Sequence, residues 1–214
     1  MIEPPRAHAR MPLLLAAGLV ALLAGLWVAA GRGPGRAPRT EAATVFDAPR
    51  PLPPFELVAG DGARFDRNRL LGRYTFIFFG FSNCPDVCPT TLAELARARR
   101  ALGDLPAERR PAVLMISVDP HRDTPPVLAR YVAHFDPAFI AVSGEPAALR
   151  GLAGALGAAI DTTSAAGGSD RIEHSATLFL VDPDGALAAV FAPPHVARTL
   201  AADYRNIAAA RGLL

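Results

Sequence analysis

Residues 74–80 read YTFIFFG and run directly into FSNCPDVCPTT at 81–91, a junction of strand and helix around which the rest of the chain arranges itself. The first run is aromatic and β-branched, with no polar alternation, which suits a strand buried on both faces rather than one with a face to water. Beyond the junction, TLAELARARRAL at 91–102 sets Leu92, Leu95, Ala96 and Leu102 on one helical stripe. AVLMISV at 112–118 reads as a second buried strand. Residues 125–135 form a helix that turns Val127, Leu128, Tyr131, Val132 and Phe135 inward, followed by a short strand at 139–142 and an Ala- and Leu-rich helix at 146–156. A strand at 177–181, a DPDG turn at 182–185 and a returning strand at 186–191 make a hairpin, and an amphipathic helix at 196–210 closes the chain. On the N-terminal side, 55–58 and 63–65 are short strands around Gly60-Asp61-Gly62. The order β-α-β-α-β, then hairpin and helix, predicts an α/β sandwich around a mixed sheet, one domain over 55–214.

Ahead of that domain, LLLAAGLVALLAGLWVAA at 13–30 is 18 uncharged and mostly apolar residues. As a helix it spans about 27 Å, close to the hydrocarbon thickness of a bilayer. The expectation is a short tail at 1–10, a transmembrane anchor at 11–31 and a flexible tether at 32–54 that is rich in Pro, Gly and Ala. A cleaved secretory signal is the alternative, since Val28-Ala29-Ala30 offers small residues for cleavage, although such signals have apolar cores of about 7–15 residues. Arg flanks the stretch on both sides, so the positive-inside rule does not orient it.

The 22 basic residues of the chain are all Arg, against 20 acidic ones, and five of the Arg lie in the first 40 residues. Residues 41–214 carry 17 Arg and 19 Asp and Glu, with no basic stripe to follow a phosphate backbone, so nucleic acid is not an expected partner.

The only two cysteines, Cys84 and Cys88, stand together at the mouth of the helix, where free backbone N–H groups and the helix dipole favour thiolates. A spacing of four puts both sulfurs on one side of a helix, roughly 6 Å apart along its axis. The pair can form a disulfide or clamp one soft metal ion. A purely structural disulfide is a weak reading, because so short a loop constrains the unfolded chain little. A redox-active pair is stronger, though thioredoxin-type pairs have two residues between their cysteines and this one has three. Asp86 lies between the thiols, where its charge raises thiol pKa values against the helix-terminus effect. Pro89 suits the first turn, where its missing N–H has no partner to lose.

Several separated pieces carry a resemblance. They are Phe55-Glu56-Leu57 with Asp61-Gly62, Gly80 through Leu92 with its CPDVCPTTL core, SVDPHRDTP at 117–125, and His174-Ser175 ahead of FLVDPDG at 179–185. In this order, over roughly 50–211, the chain resembles the SCO/SenC family, membrane-tethered copper proteins of thioredoxin-like fold that help metallate cytochrome c oxidase. The resemblance implies that Cys84, Cys88 and His174 ligate one copper ion, with Cu(I) favoured and Cu(II) also accommodated. Two thiolates and a neutral imidazole are a sensible soft trigonal set, although Zn(II) can use the same groups with water. It places Asp119 near the metal face, where it tunes the site or adds an oxygen donor; a cap or turn role before Pro120 is the alternative. Asp86 is expected to shape the electrostatics of the thiols or to meet a partner. Where the family often has a Tyr-Thr-His-like run before the first cysteine, this chain has Phe81-Ser82-Asn83. His121 is expected to be solvated, and His134 and His195 to be structural.

The function so implied is a copper chaperone that serves the dinuclear copper centre of cytochrome c oxidase subunit II or an assembly intermediate. A periplasmic copper donor and a thioredoxin-like reductant are further expected partners, and the expected location is a bacterial inner membrane, single-pass, with the domain in the periplasm. Reduction of partner thiols by Cys84 and Cys88 is the coupled activity, and a membrane-tethered thiol–disulfide oxidoreductase is the rival. Against that rival, Ala176 stands where such enzymes place a cis-proline. An interaction-only scaffold is the third class.

Overall fold

The computed structural model describes residues 18–23, 25, 38–160 and 176–214. The chain divides into two units, Met1–Ala37 and Pro38–Leu214. In the second, the strands are β1 (Ala43–Pro51), β2 (Glu56–Ala59), β3 (Arg64–Asp66), β4 (Thr75–Gly80), β5 (Ala112–Ser117), β6 (Ile140–Ser143), β7 (Leu178–Val181) and β8 (Ala186–Phe191). The helices are α1 (Val87–Ala101), α2 (Pro125–Ala133), α3 (Pro146–Leu156) and α4 (Ala197–Ala210). One sheet runs in the order β1-β8-β7-β4-β5-β6-β2-β3, with β4, β5 and β6 parallel and the other neighbours antiparallel. This is the mixed sheet expected from the order of elements, in the thioredoxin-like fold that the resemblance implies.

β4 is buried along its whole length. Phe76 and Phe78 join one apolar cluster with Leu92 and Leu95 of α1, Leu128 and Val132 of α2, and Leu200, Tyr204 and Ile207 of α4. Ile77 and Phe79 join another on the opposite face with Leu149, Leu152 and Leu156 of α3. The alternation of strand side chains therefore feeds two cores, one for each face, and Thr75 at its start is the one polar side chain buried in β4. Turn glycines hold the left-handed conformation where the chain reverses, Gly62 (φ +82°) between β2 and β3 and Gly185 (φ +74°) between β7 and β8.

β1 has no counterpart in the strand reading of the sequence, which assigned 43–51 to the tether. It pairs with β8 from Ala43↔Phe191 to Pro51↔Ala186, with an irregularity between Val45 and Arg50. An edge strand needs its ladder on one side only, so Pro49 and Pro51 are tolerated there. The buried Asp203 of α4 fixes its entry by accepting from the amides of Glu41, Ala42 and Ala43 at 2.8–2.9 Å.

The expected transmembrane helix is not upheld. Within 11–31 the structure describes 18–23 and 25, which are helical, and the remainder lies outside the described residues. Among the described residues no helix is long and apolar enough to cross a membrane. The single-pass inner-membrane location rested on that helix and is withdrawn with it.

Candidate metal centre

Gly80 ends β4 against the N-terminus of α1, and the fit is close. A Cβ built on Gly80 falls 2.8 Å from the Cys88 sulfur and 3.0 Å from the Phe78 ring, so only glycine leaves the cysteine room. The connecting residues 81–86 are folded back on themselves, with the Cys84 amide donating to the Phe81 carbonyl at 3.3 Å. Asp86 is the residue before the helix, exposed, and its side chain makes no capping bond to the helix backbone. The role falls to sulfur: the Cys88 amide, one of the N–H groups that a helix start leaves without an internal acceptor, donates to Cys84 Sγ at 3.4 Å.

The two thiols differ in depth. Cys84 is half-buried, and Cys88, in the first turn of α1, is fully buried. Burial pushes the Cys88 thiol well above its ordinary range, and its hydrogen bond with Cys84 adds to the effect. It therefore holds its proton at neutral pH. Both cysteines are free thiols, which corrects the expected disulfide.

A residue that sequence reading passed over organises this segment. Asp123 is buried and accepts from the Ser82 amide at 2.9 Å, from the Ser82 hydroxyl, and from the Ser117 hydroxyl at the end of β5. It joins the cysteine segment to the next parallel strand. The available signal was its place in SVDPHRDTP, but its partners are fixed by tertiary structure alone. Tyr131 of α2, read as an ordinary core aromatic, packs against the cluster that contains Cys88. Burial pushes its phenol above the usual range, and the charges that add to this are, in order, Cys88, Cys84 and Asp123.

Asp119 is buried two residues beyond β5. Its amide donates to Ser117 Oγ at 3.1 Å, its Oδ1 accepts from the Arg122 amide at 3.4 Å, and its Oδ2 lies 3.7 Å from the Arg122 guanidinium. These contacts shape the 119–123 turn. Asp86 faces a cleft of about 190 Å³ lined also by Val87, Glu94, Ala176, Pro194 and His195. His195 bonds the Ala176 carbonyl at 2.7 Å, and burial lowers its pKa. His121 and His134 are exposed. His174 lies outside the described residues, and among the described residues no group of three or more His, Cys, Asp or Glu is placed to hold a metal ion. The described chain thus supplies a pair of soft sulfur donors, Cys84 in the loop before α1 and Cys88 in its first turn, a donor set that fits a thiophilic cation and is incomplete as a trigonal site.

The SCO1/SenC family profile matches residues 46–209, from β1 through α4. The chain belongs to the SCO1/SenC family. A Stutzerimonas stutzeri protein named for copper binding is 41% identical over 140 residues, which is 64% of this chain and 67% of that protein. The mitochondrial SCO1 homolog 1 of Arabidopsis thaliana is 33% identical over 131 residues, 61% of this chain and only 39% of that protein. Among solved structures, copper-bound ScoI of Bradyrhizobium japonicum is 33% identical with a TM-score of 0.63, covering 72% of this chain and 98% of that one. The SCO1/SenC frame thus encloses the cysteine pair, Asp119 and Asp123, and carries them at the ends of adjacent parallel strands.

Proposed function

We propose that this protein is a copper chaperone: it takes up one copper ion as cargo through Cys84, Cys88 and His174 and delivers it to the dinuclear copper site of cytochrome c oxidase subunit II or an assembly intermediate. The observation that carries the reading is the pair of free thiols, one half-buried and one buried, at the junction of β4 and α1 in a SCO1/SenC chain. Two sulfurs suit Cu(I) by softness, and an imidazole completes a trigonal set. Cu(II) is held less well by thiolates alone, which gives Asp119 its interest as an oxygen donor. Loading displaces a proton from each thiol, so uptake is coupled to pH. Delivery proceeds by exchange of ligands, the recipient's donors replacing these sulfurs one at a time. Asp86, exposed beside Cys84, is a candidate contact for that recipient.

A thiol–disulfide oxidoreductase is the second reading, since a disulfide between Cys84 and Cys88 removes both donors and ties copper loading to redox state. Against it as the main activity, three residues separate the cysteines where thioredoxin-type pairs have two, and Ala176 stands where such enzymes place a cis-proline.

Anaerobic Cu(I) titration read by X-ray absorption tests the proposal. One ion per chain with two sulfur neighbours and one nitrogen lost in His174→Ala is the expected result. Undiminished tight binding by a Cys84→Ser/Cys88→Ser double variant sinks it.

A further inference from the structure

The ladder between β7 and β8 runs as far as Leu178↔Phe191. Continued by two residues, that register sets Ala176 against Pro193, and neither Pro193 nor Pro194 has an N–H to offer a strand partner. The donor comes from the next residue instead. His195 Nε2 meets the Ala176 carbonyl at 2.7 Å, and since a carbonyl only accepts, that nitrogen carries the proton. The loop that bears the ring is itself tied down, because Glu94 of α1 accepts from the Ala197 amide at 2.8 Å. Ala176, Pro194 and His195 thus line one cleft together with Asp86, Val87 and Thr90, the residues that flank Cys88 at the start of α1. His174 stands two residues before Ala176, and two peptide units reach at most about 7 Å. The bond to Ala176 therefore limits how far residue 174 can lie from the cysteine-bearing end of the helix.

Resting on the copper reading above, we infer that His195 is a positioning residue of the metal centre: its ring supplies the donor that the prolines lack, and by holding Ala176 beside the start of α1 it keeps His174 within reach of Cys84 and Cys88. With Nε2 spent on the carbonyl, it acts through the backbone rather than on the ion. A ligand whose neighbour in the chain is already fixed loses less freedom on binding, so the hold on Ala176 tightens the grip on the cargo. Were the bond only one more stabilising contact, its removal would lower the melting temperature and leave affinity alone.

The test uses the full reduced chain with His195→Leu, which removes the donor, and His195→Gln, whose amide still donates, each made in the wild type and in His174→Ala. The proteins are titrated anaerobically with Cu(I) against a chromophoric Cu(I) chelator. His195→Leu is expected to weaken binding about tenfold, and His195→Gln to recover most of the loss. Neither should change affinity by more than about twofold once His174 is alanine, since the two act as one unit. In metal-free His195→Leu, hydrogen exchange should quicken at the start of β7 while β4 and β5 keep their protection. No weakening, the same weakening with and without His174, no recovery by glutamine, or unchanged exchange at β7 overturns the inference and leaves cysteine-dependent copper binding standing. Wild-type affinity in His174→Ala removes the imidazole ligand and the inference with it. Undiminished Cu(I) binding by the Cys84→Ser/Cys88→Ser variant overturns the copper reading itself.

Discussion

Asp123 accepts two hydrogen bonds from Ser82, 41 residues away, one from its amide at 2.9 Å and one from its hydroxyl. A third comes from Ser117. The cysteine segment is therefore held in place by a carboxylate from the turn that follows β5 rather than by its own helix. Asp123→Ala strands three donors in a buried place and should cost about 3 kcal/mol or more in urea denaturation. The cysteine segment should loosen as well, and hydrogen exchange at the Ser82 amide is the local readout. Unchanged protection there would show that Asp123 is not what holds it.

Gly80→Ala should destabilise by about 1–3 kcal/mol, because the added methyl meets Cys88 Sγ at 2.8 Å and the Phe78 ring at 3.0 Å. Thermal melting gives the stability. Alkylation followed by mass spectrometry gives the consequence for the site, since a displaced Cys88 should react faster than in the wild type.

The pH dependence of stability follows from the buried thiol. In the unfolded chain Cys88 titrates near 8.5, and in the fold burial keeps it protonated to much higher pH. The folded state then binds more protons than the unfolded one above about pH 8.5, so ΔG of unfolding falls as pH rises through that region and is fully present below it. Urea denaturation of the reduced, metal-free protein between pH 7 and about pH 10 should show this decline. Cys88→Ser should show a shallower one over the same range. Equal slopes would contradict the assignment.

Asp203→Ala should release β1. Three consecutive amides, Glu41 to Ala43, lose their acceptor at once, a loss of about 3 kcal/mol or more. Hydrogen exchange should quicken at those amides and along the β1–β8 ladder, while the amides of β4 and β5 respond only through global unfolding.

What the sequence disclosed and what it withheld divide along physical lines. The 74–80 run disclosed β4 because unbroken apolar character over a strand's length has few other homes, and the DPDG turn disclosed the β7–β8 hairpin because its glycine takes φ of +74°. α1 begins at Val87, earlier than the stripe from Leu92 suggests, because its first turn is set by the cysteines and Pro89 rather than by apolar spacing. β1 was hidden by its prolines, which read as a linker until a partner strand is present. Asp123 and Tyr131 were hidden for a different reason: each is defined by what the folded chain brings against it, and spacing along the chain carries no such information. The 18-residue apolar run at 13–30 suggested a spanning helix that the described residues do not contain.

Cys84 sits nearer the surface and Cys88 beneath it. Under the copper reading proposed above, a thiophilic ion coming from solvent would meet the two sulfurs in sequence, shallow then deep, and on leaving would part from the deep one first while the shallow one still held it. Such a ladder gives entry and exit a defined order, and the slow rung is the inner one. The lifetime of the loaded state is then governed by how readily the interior lets go of its sulfur, and the approach of a second protein acts on the outer rung alone.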